Sequence, residues 1–195
     1  MRLRIGPLPS RPAGDWFVLG LGSNLPHAGR SGMALLRAAL EALAGRGFCP
    51  IARSSFWESA AWPDPALPAY VNAVALAEAG GQPPLGVLQA LLEIEADFGR
   101  QRGPSLHPNP HERWAARTLD LDLLDFGGEI MDMKGLILPH PRMSQRNFVL
   151  APLAQLAPWW RHPVSGRSAA DLLRTALPGA LRQLPEESGQ AKMAD

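Results

Sequence analysis

Cysteine is almost absent: Cys49 is the single one in 195 residues. No disulfide can form within the chain, and a lone thiol reads as a small buried hydrophobe in a reducing, cytoplasmic setting. An excess of charge of either sign is lacking too. With 19 Lys and Arg against 18 Asp and Glu, the formal net charge is +1. That balance gives no bulk attraction for nucleic acid or another polyanion. No apolar run approaches the roughly 20 residues that a membrane-spanning helix needs, so no membrane partner is expected. The common phosphate-binding loops, G-x-x-x-x-G-K-[ST] and G-x-G-x-x-G, are missing. The five histidines have no zinc-like spacing. His107 and His111 are four apart, but the prolines between them forbid a helix.

What is present suits a folded protein with one core: 46% of residues are hydrophobic and 19% charged. Residues 1–14 carry three arginines and three prolines without an apolar stretch, and are expected to be a disordered extension rather than a secretory leader. Residues 15–184 are expected to form a single monomeric domain, followed by a frayed polar tail at 185–195.

Trp16 to Leu21 reads as a buried strand ending in Gly22-Ser23-Asn24. Met33, Leu36, Leu40 and Leu43 give helical spacing over 31–46, with Ser31 able to cap the start. Residues 48–57 look extended, and the prolines of 62–68 require a loop. A strand is predicted over 70–79. Pro83-Pro84 open a helix that presents Leu85, Leu88, Leu91, Leu92 and Ile94 and ends at Gly99. After a long irregular stretch from 100 to 113, strands follow at 118–126 and 136–138, then helical turns at 148–156 and 169–177. This order predicts an α+β fold, a ferredoxin-like βαββαβ sandwich with an antiparallel sheet and additional C-terminal helices. Such a fold names no function.

The chemistry concentrates near Leu119-Asp120-Leu121-Asp122-Leu123-Leu124. Side chains alternate across a strand, so Asp120 and Asp122 share one face and the leucines at 119, 121 and 123 the other. Two adjacent carboxylates in an apolar strand repel each other and are costly to desolvate unless a cation neutralises them. An oxygen-only pair suits Mg²⁺, which binds one or two carboxylates plus substrate phosphates. A solvated edge strand with two inert acids is the plain alternative. Arg100, Arg102, Arg113 and Arg117 cluster just before the pair, and Arg146 follows. Guanidinium forks grip phosphate oxygens, so acids beside arginines point to a bound polyphosphate. The 100–113 stretch, rich in Arg, Gly and Pro, has the character of a lid. Tyr70 and Asn72 project to one side of a strand, and Trp114 and Phe148 are rings with polar neighbours. Stacking plus amide hydrogen bonds would hold a flat heteroaromatic ligand, whereas core packing is the ordinary alternative for each ring.

Arg113-Trp114-Ala115-Ala116-Arg117-Thr118-Leu119-Asp120-Leu121-Asp122-Leu123-Leu124 resembles the signature of the hydroxymethyldihydropterin pyrophosphokinases. Gly22-Ser23-Asn24-Leu25, Tyr70-Val71-Asn72-Ala73, and Leu138-Pro139-His140-Pro141-Arg142-Met143 running on to Arg146 and Phe148 agree in order and spacing. The resemblance spans about 18–158. It implies pyrophosphoryl transfer from ATP, as co-substrate, to 6-hydroxymethyl-7,8-dihydropterin. It implies that Asp120 and Asp122 hold two Mg²⁺ ions, and that Arg100, Arg102, Arg117, His140 and Arg146 grip phosphates. Tyr70 and Phe148 would sandwich the pterin, Asn72 would bond its edge, Ser59, Ala60 and Trp62 would line its loop, and Trp114 would close over the site. Leu88, Glu95 and Leu123 would lie near ATP. Departures from the family pattern, at Ala60, Ala61, Leu92, Gly135, Ile137 and Pro141, leave the acid pair untouched. A catalytically silent pterin- or nucleotide-binding homologue and a ferredoxin-like binding module are the alternative functions.

Overall fold

The computed structural model describes residues 3–61, 66–100 and 117–186. Two long apolar runs become its central strands, β2 (Trp16–Ser23) and β5 (Tyr70–Glu78), which pair antiparallel from Trp16–Glu78 to Ser23–Val71. Both strands are buried along most of their length because helices cover both faces of the sheet. Here β1 is Arg4–Ile5, β3 is Cys49–Arg53, β4 is Trp57–Ser59, β6 is Asp120–Phe126 and β9 is Leu181–Gln183. The main order is β1-β3-β5-β2-β6, with β4 also on β5 and β9 added to β4. The pairings are antiparallel except β1 with β3. A separate hairpin joins β7 (Met131–Met133) to β8 (Leu136–Leu138).

Alternation assigns each face its helices. Phe17, Leu19 and Leu21 of β2 and Ala73, Ala75 and Ala77 of β5 pack against α1 (Gly32–Gly45) and α2 (Pro84–Asp97). The alanines bring the helices close to the sheet. Trp16, Val18, Val74 and Leu76 face the other way, onto α3 (Asn147–Leu156) and α4 (Ala169–Leu173). Burying side chains of this size contributes about 1.5–3 kcal/mol each. Pro84 opens α2, and Gly99, at φ +76, supplies the left-handed turn that ends it. The result is a mixed α+β architecture with a largely antiparallel sheet and extra C-terminal helices.

Several expected boundaries move. Ser31 precedes α1 without a side-chain cap bond, β6 starts at Asp120, and α4 stops at Leu173 rather than 177. Ser168 caps α4 through a reciprocal pair of bonds with Asp171. The segment expected as a disordered extension lies along the sheet from residue 3 onward. There β1 pairs with β3, the Leu8 N–H donates to the last α3 carbonyl, Leu156, at 2.7 Å, and Arg11 stacks over Trp16 at 5.1 Å. At the other end of the chain, within the stretch expected to fray, Glu186 is bonded to Arg53. Among the described residues no helix is long and apolar enough to cross a membrane.

Candidate active site

On the α3 face, the strands carry core residues at one end and open side chains at the other. Trp16 and Val18 of β2 give way to Gly20 and Gly22, Leu76 and Val74 of β5 to Asn72 and Tyr70, and Leu124 of β6 to Asp122 and Asp120. The open ends floor a cavity of about 1010 Å³ that also reaches α2 and the β7–β8 hairpin. A Cβ on Gly22 would stand 3.5 Å from Asn72 Oδ1 and 4.0 Å from Tyr70 Cδ1, inside the cleft. Glycine here keeps the floor clear.

Asp120 and Asp122 project into this cavity together, with side chains 24% and 33% exposed. Arg117 Nη1 donates to both oxygens of Asp120 at 3.0 Å, and Arg100 bonds the same carboxylate. Burial alone would raise the pKa of Asp120, but the Arg117 and Arg100 guanidiniums outweigh it and hold the carboxyl below its ordinary value. Arg146 Nη1 donates to Asp122 Oδ2 at 3.2 Å and lies over the Phe148 ring at 5.6 Å. His140 lines the same cavity, where burial lowers its pKa against the opposing pull of Asp122. Its Nδ1 accepts from the Arg142 N–H at 3.2 Å.

Opposite the acids, burial raises the Tyr70 pKa, so the phenol stays neutral. Asn72 Nδ2 donates to Ser59 Oγ at 2.9 Å, which fixes the amide against β4. Phe148, at the start of α3, faces the same space. The cavity therefore combines three arginines on two carboxylates with an aromatic and amide wall. It can hold a polyanion next to a flat polar ring.

The family model for 7,8-dihydro-6-hydroxymethylpterin-pyrophosphokinase matches residues 18–158. The chain belongs to this pyrophosphokinase family. The Synechocystis 2-amino-4-hydroxy-6-hydroxymethyldihydropteridine pyrophosphokinase is 37% identical over 156 residues, covering 80% of this chain and 73% of that one. The Pseudomonas aeruginosa protein of the same name is 42% identical over 118 residues, covering 60% of this chain and 67% of that one. A crystal structure of Plasmodium falciparum HPPK-DHPS superposes with a TM-score of 0.58 at 12% identity, covering 83% of this chain. The chain spans 43% of the length of that structure, so the likeness speaks to fold alone.

On this family framework, the cavity gathers Ser59, Ala60, Tyr70, Asn72, Leu88, Glu95, Arg100, Arg117, Asp120, Asp122, Leu123, His140, Arg146 and Phe148. Trp62, Arg102 and Trp114, with all but Arg100 of the lid expected at 100–113, lie outside the described residues. Glu95 stands apart from the rest. It is 1% exposed, binds Arg100, and accepts the Leu121 N–H at 2.7 Å. Its Oε1 thus holds an arginine and the acid-bearing strand.

Asn24 has a role the sequence did not reveal. Its Oδ1 accepts the Arg117 N–H at 2.7 Å, while the Asn24 and Leu25 N–H groups both donate to the Arg117 carbonyl at 3.1 Å. The end of β2 thereby sets where Arg117 enters β6. The signal was the Gly22-Ser23-Asn24-Leu25 block, one of the stretches that carry the family resemblance.

Proposed function

We propose that this chain transfers a pyrophosphoryl group from ATP to 6-hydroxymethyl-7,8-dihydropterin, giving AMP and the pterin pyrophosphate, a step of tetrahydrofolate biosynthesis. The observation that carries the reading is one cavity in which Asp120 and Asp122, each held by arginine, face Tyr70, Asn72 and Phe148. Family membership supports the same conclusion and disfavours a silent homologue or a binding module.

Asp120 and Asp122 fit Mg²⁺ by their chemistry. They are two oxygen-only carboxylates, two residues apart, partly open to a shared space. We assign two ions to the pair. Magnesium, when bound, supplies positive charge that offsets the phosphate oxygens and helps align them.

The remaining work belongs to side chains. Arg100, Arg117 and Arg146, paired with the two acids, are the donors we assign to the triphosphate, together with Arg102 and His140. Substrate binding on this reading is an exchange of partners: guanidinium forks turn from carboxylate to phosphate. Tyr70 and Phe148 would stack on the pterin and Asn72 would bond its edge. Leu88 and Leu123 would flank the nucleotide, and Trp62 and Trp114 would complete the site. The hydroxymethyl oxygen then attacks the β-phosphorus in line and AMP departs. Phosphoryl chemistry of this kind asks the protein mainly for positioning and charge neutralisation.

The framework supports a ferredoxin-like assignment through the order β2-α1-β3-β5-α2-β6 and the arrangement β3-β5-β2-β6. We also propose a single monomeric domain in the cytoplasm, one that includes the stretch from residue 3 that pairs with β3 and reaches Glu186. Incubation with ATP, magnesium and the pterin alcohol should release AMP and the pterin pyrophosphate in equal amounts. ATP left intact, or AMP released without pterin consumption, would sink the reading.

A further inference from the structure

Arg53 is a charged side chain with no place in the chemistry above, yet it is 3% exposed. A buried guanidinium is costly unless its charge and donors are met. Glu186 meets them from 133 residues away, with Arg53 Nη1 to Oε1 at 2.8 Å and Nη2 to Oε2 at 2.7 Å. The Phe56 ring lies 4.1 Å from the guanidinium carbon, and Arg37 reaches the same carboxylate at 3.4 Å. This two-pronged pair fastens the end of a strap, residues 177–186, that runs along one side of the cavity.

The strap touches the proposed pterin subsite at both of its supports. Near its start, the Leu177 N–H donates to the Gln145 carbonyl at 3.2 Å, and Asn147 Nδ2 donates to the Gly179 carbonyl at 2.9 Å. Gln145 and Asn147 flank Arg146, and Asn147 directly precedes Phe148. Further on, β9 pairs with β4, setting Leu181 opposite Ser59, and the Leu184 N–H donates to the Phe56 carbonyl at 2.8 Å. Ser59 is the residue whose hydroxyl holds Asn72. Arg182 to Glu58 at 2.8 Å adds an exposed ion pair, which is worth little in water. The buried Arg53 end is the firm attachment.

We infer that Glu186 is a positioning residue for the acceptor substrate: by docking on Arg53 it locks the C-terminal strap against β4 and α3, and so sets the spacing between the Asn72 and Phe148 sides of the pterin subsite. The inference rests on the function proposed above. It concerns chiefly the pterin half, because the Arg100 and Arg117 pairs with Asp120 are attached to α2 and β2 through Glu95 and Asn24 and not to the strap.

The test compares wild type with Glu186→Gln and Glu186→Asp, and with the double variant Arg53→Met/Glu186→Gln, which removes the buried charge as well as its partner. Hydrogen exchange at the Gln183 and Leu184 amides reads the lock, and steady-state kinetics read its effect. Glu186→Gln should speed exchange in the strap and raise KM for the pterin about tenfold, leaving KM for ATP and kcat within about twofold. Glu186→Asp should recover part of the loss. The double variant should fold as well as wild type and keep the pterin defect. An unlocked strap with normal pterin KM overturns the inference, as does a strap that stays locked in Glu186→Gln. Equal rises in both KM values also overturn it, since they mark a disturbance not confined to the pterin subsite. A wild-type protein that neither binds nor converts the pterin defeats the proposed function itself, and that result is seen before any variant is compared.

Discussion

The two ends of β6 carry the same residue type and put it to opposite uses. At the start, Asp120 and Asp122 open into the cavity with arginine partners. At the end, Asp125 is fully buried, accepting the Trp160 indole N–H at 2.6 Å and the Gly128 N–H at 3.1 Å. Burial raises the Asp125 pKa against the pull of those donors. A register shift separates the two ends: Leu19 pairs with Leu123, but Val18 pairs with Asp125. One extra residue in β6 resets the alternation. Asp125, which strict alternation would place with Leu121 and Leu123, is delivered instead to the α3 side beneath Trp160. An aspartate's surroundings, not its place in an Asp-x-Asp-x-x-Asp run, decide whether it opens into the cavity or holds the core.

Substitutions at the two ends should therefore fail in different ways. The largest effect is expected for Asp122→Ala: turnover falls by about 10³-fold or more, as for loss of a charge-stabilising group at a reacting centre. Its melting temperature should stay close to wild type in a thermal scan. Near-normal turnover would remove Asp122 from the acid pair. Asp125→Ala should show the reverse. Leaving the Trp160 indole without an acceptor costs about 1–3 kcal/mol, visible in urea unfolding, while kcat per folded molecule is unchanged. A kcat loss matching that of Asp122→Ala would erase the contrast.

Smaller effects sharpen the picture within the open end. Tyr70→Ala should weaken pterin binding by about 1–2 kcal/mol while ATP binding holds, as judged by calorimetric titration. Equal losses for both ligands would count against stacking. The smallest effect concerns pH. Hydrogen bonds from Arg53 hold the Glu186 carboxyl below its usual 4.5. The folded form thus favours the charged state, so this contribution to stability is complete above about pH 4.5 and fades as pH falls through the lowered value. Wild type should lose melting temperature relative to Glu186→Gln on acidification in that range. Parallel curves would show that the carboxylate adds nothing.

Much of this was legible in the sequence where periodicity carries the information. Trp16–Leu21 and most of the α2 stripe came through because buried strands and amphipathic helices write themselves as apolar patterns, although Leu85, expected on that stripe, is 48% exposed. Tyr70 and Asn72 reached the cavity side by side, as alternation requires. What escaped depends on backbone pairing or distant partners. Leu181-Arg182-Gln183 has no pattern that announces a strand, and β1 is two residues long. The resemblance implies a place near the nucleotide for Glu95, but not that its Oε1 accepts from the Leu121 N–H and Arg100. Glu186 looked like tail composition because its partner lies 133 residues back. The bulge in β6 leaves no mark in residue type.

The floor of the cavity and the hydrophobic layer beneath α3 are consecutive stretches of the same three strands. Heat that lifts α3 from Val18, Val74 and Leu124 must disturb Gly22, Asn72 and Asp122 a few residues further along each chain. Such a molecule has no delicate catalytic annex to lose first. Inactivation and melting should fall on a single curve, and an assay of surviving activity after heating would serve as a thermometer for the whole sheet.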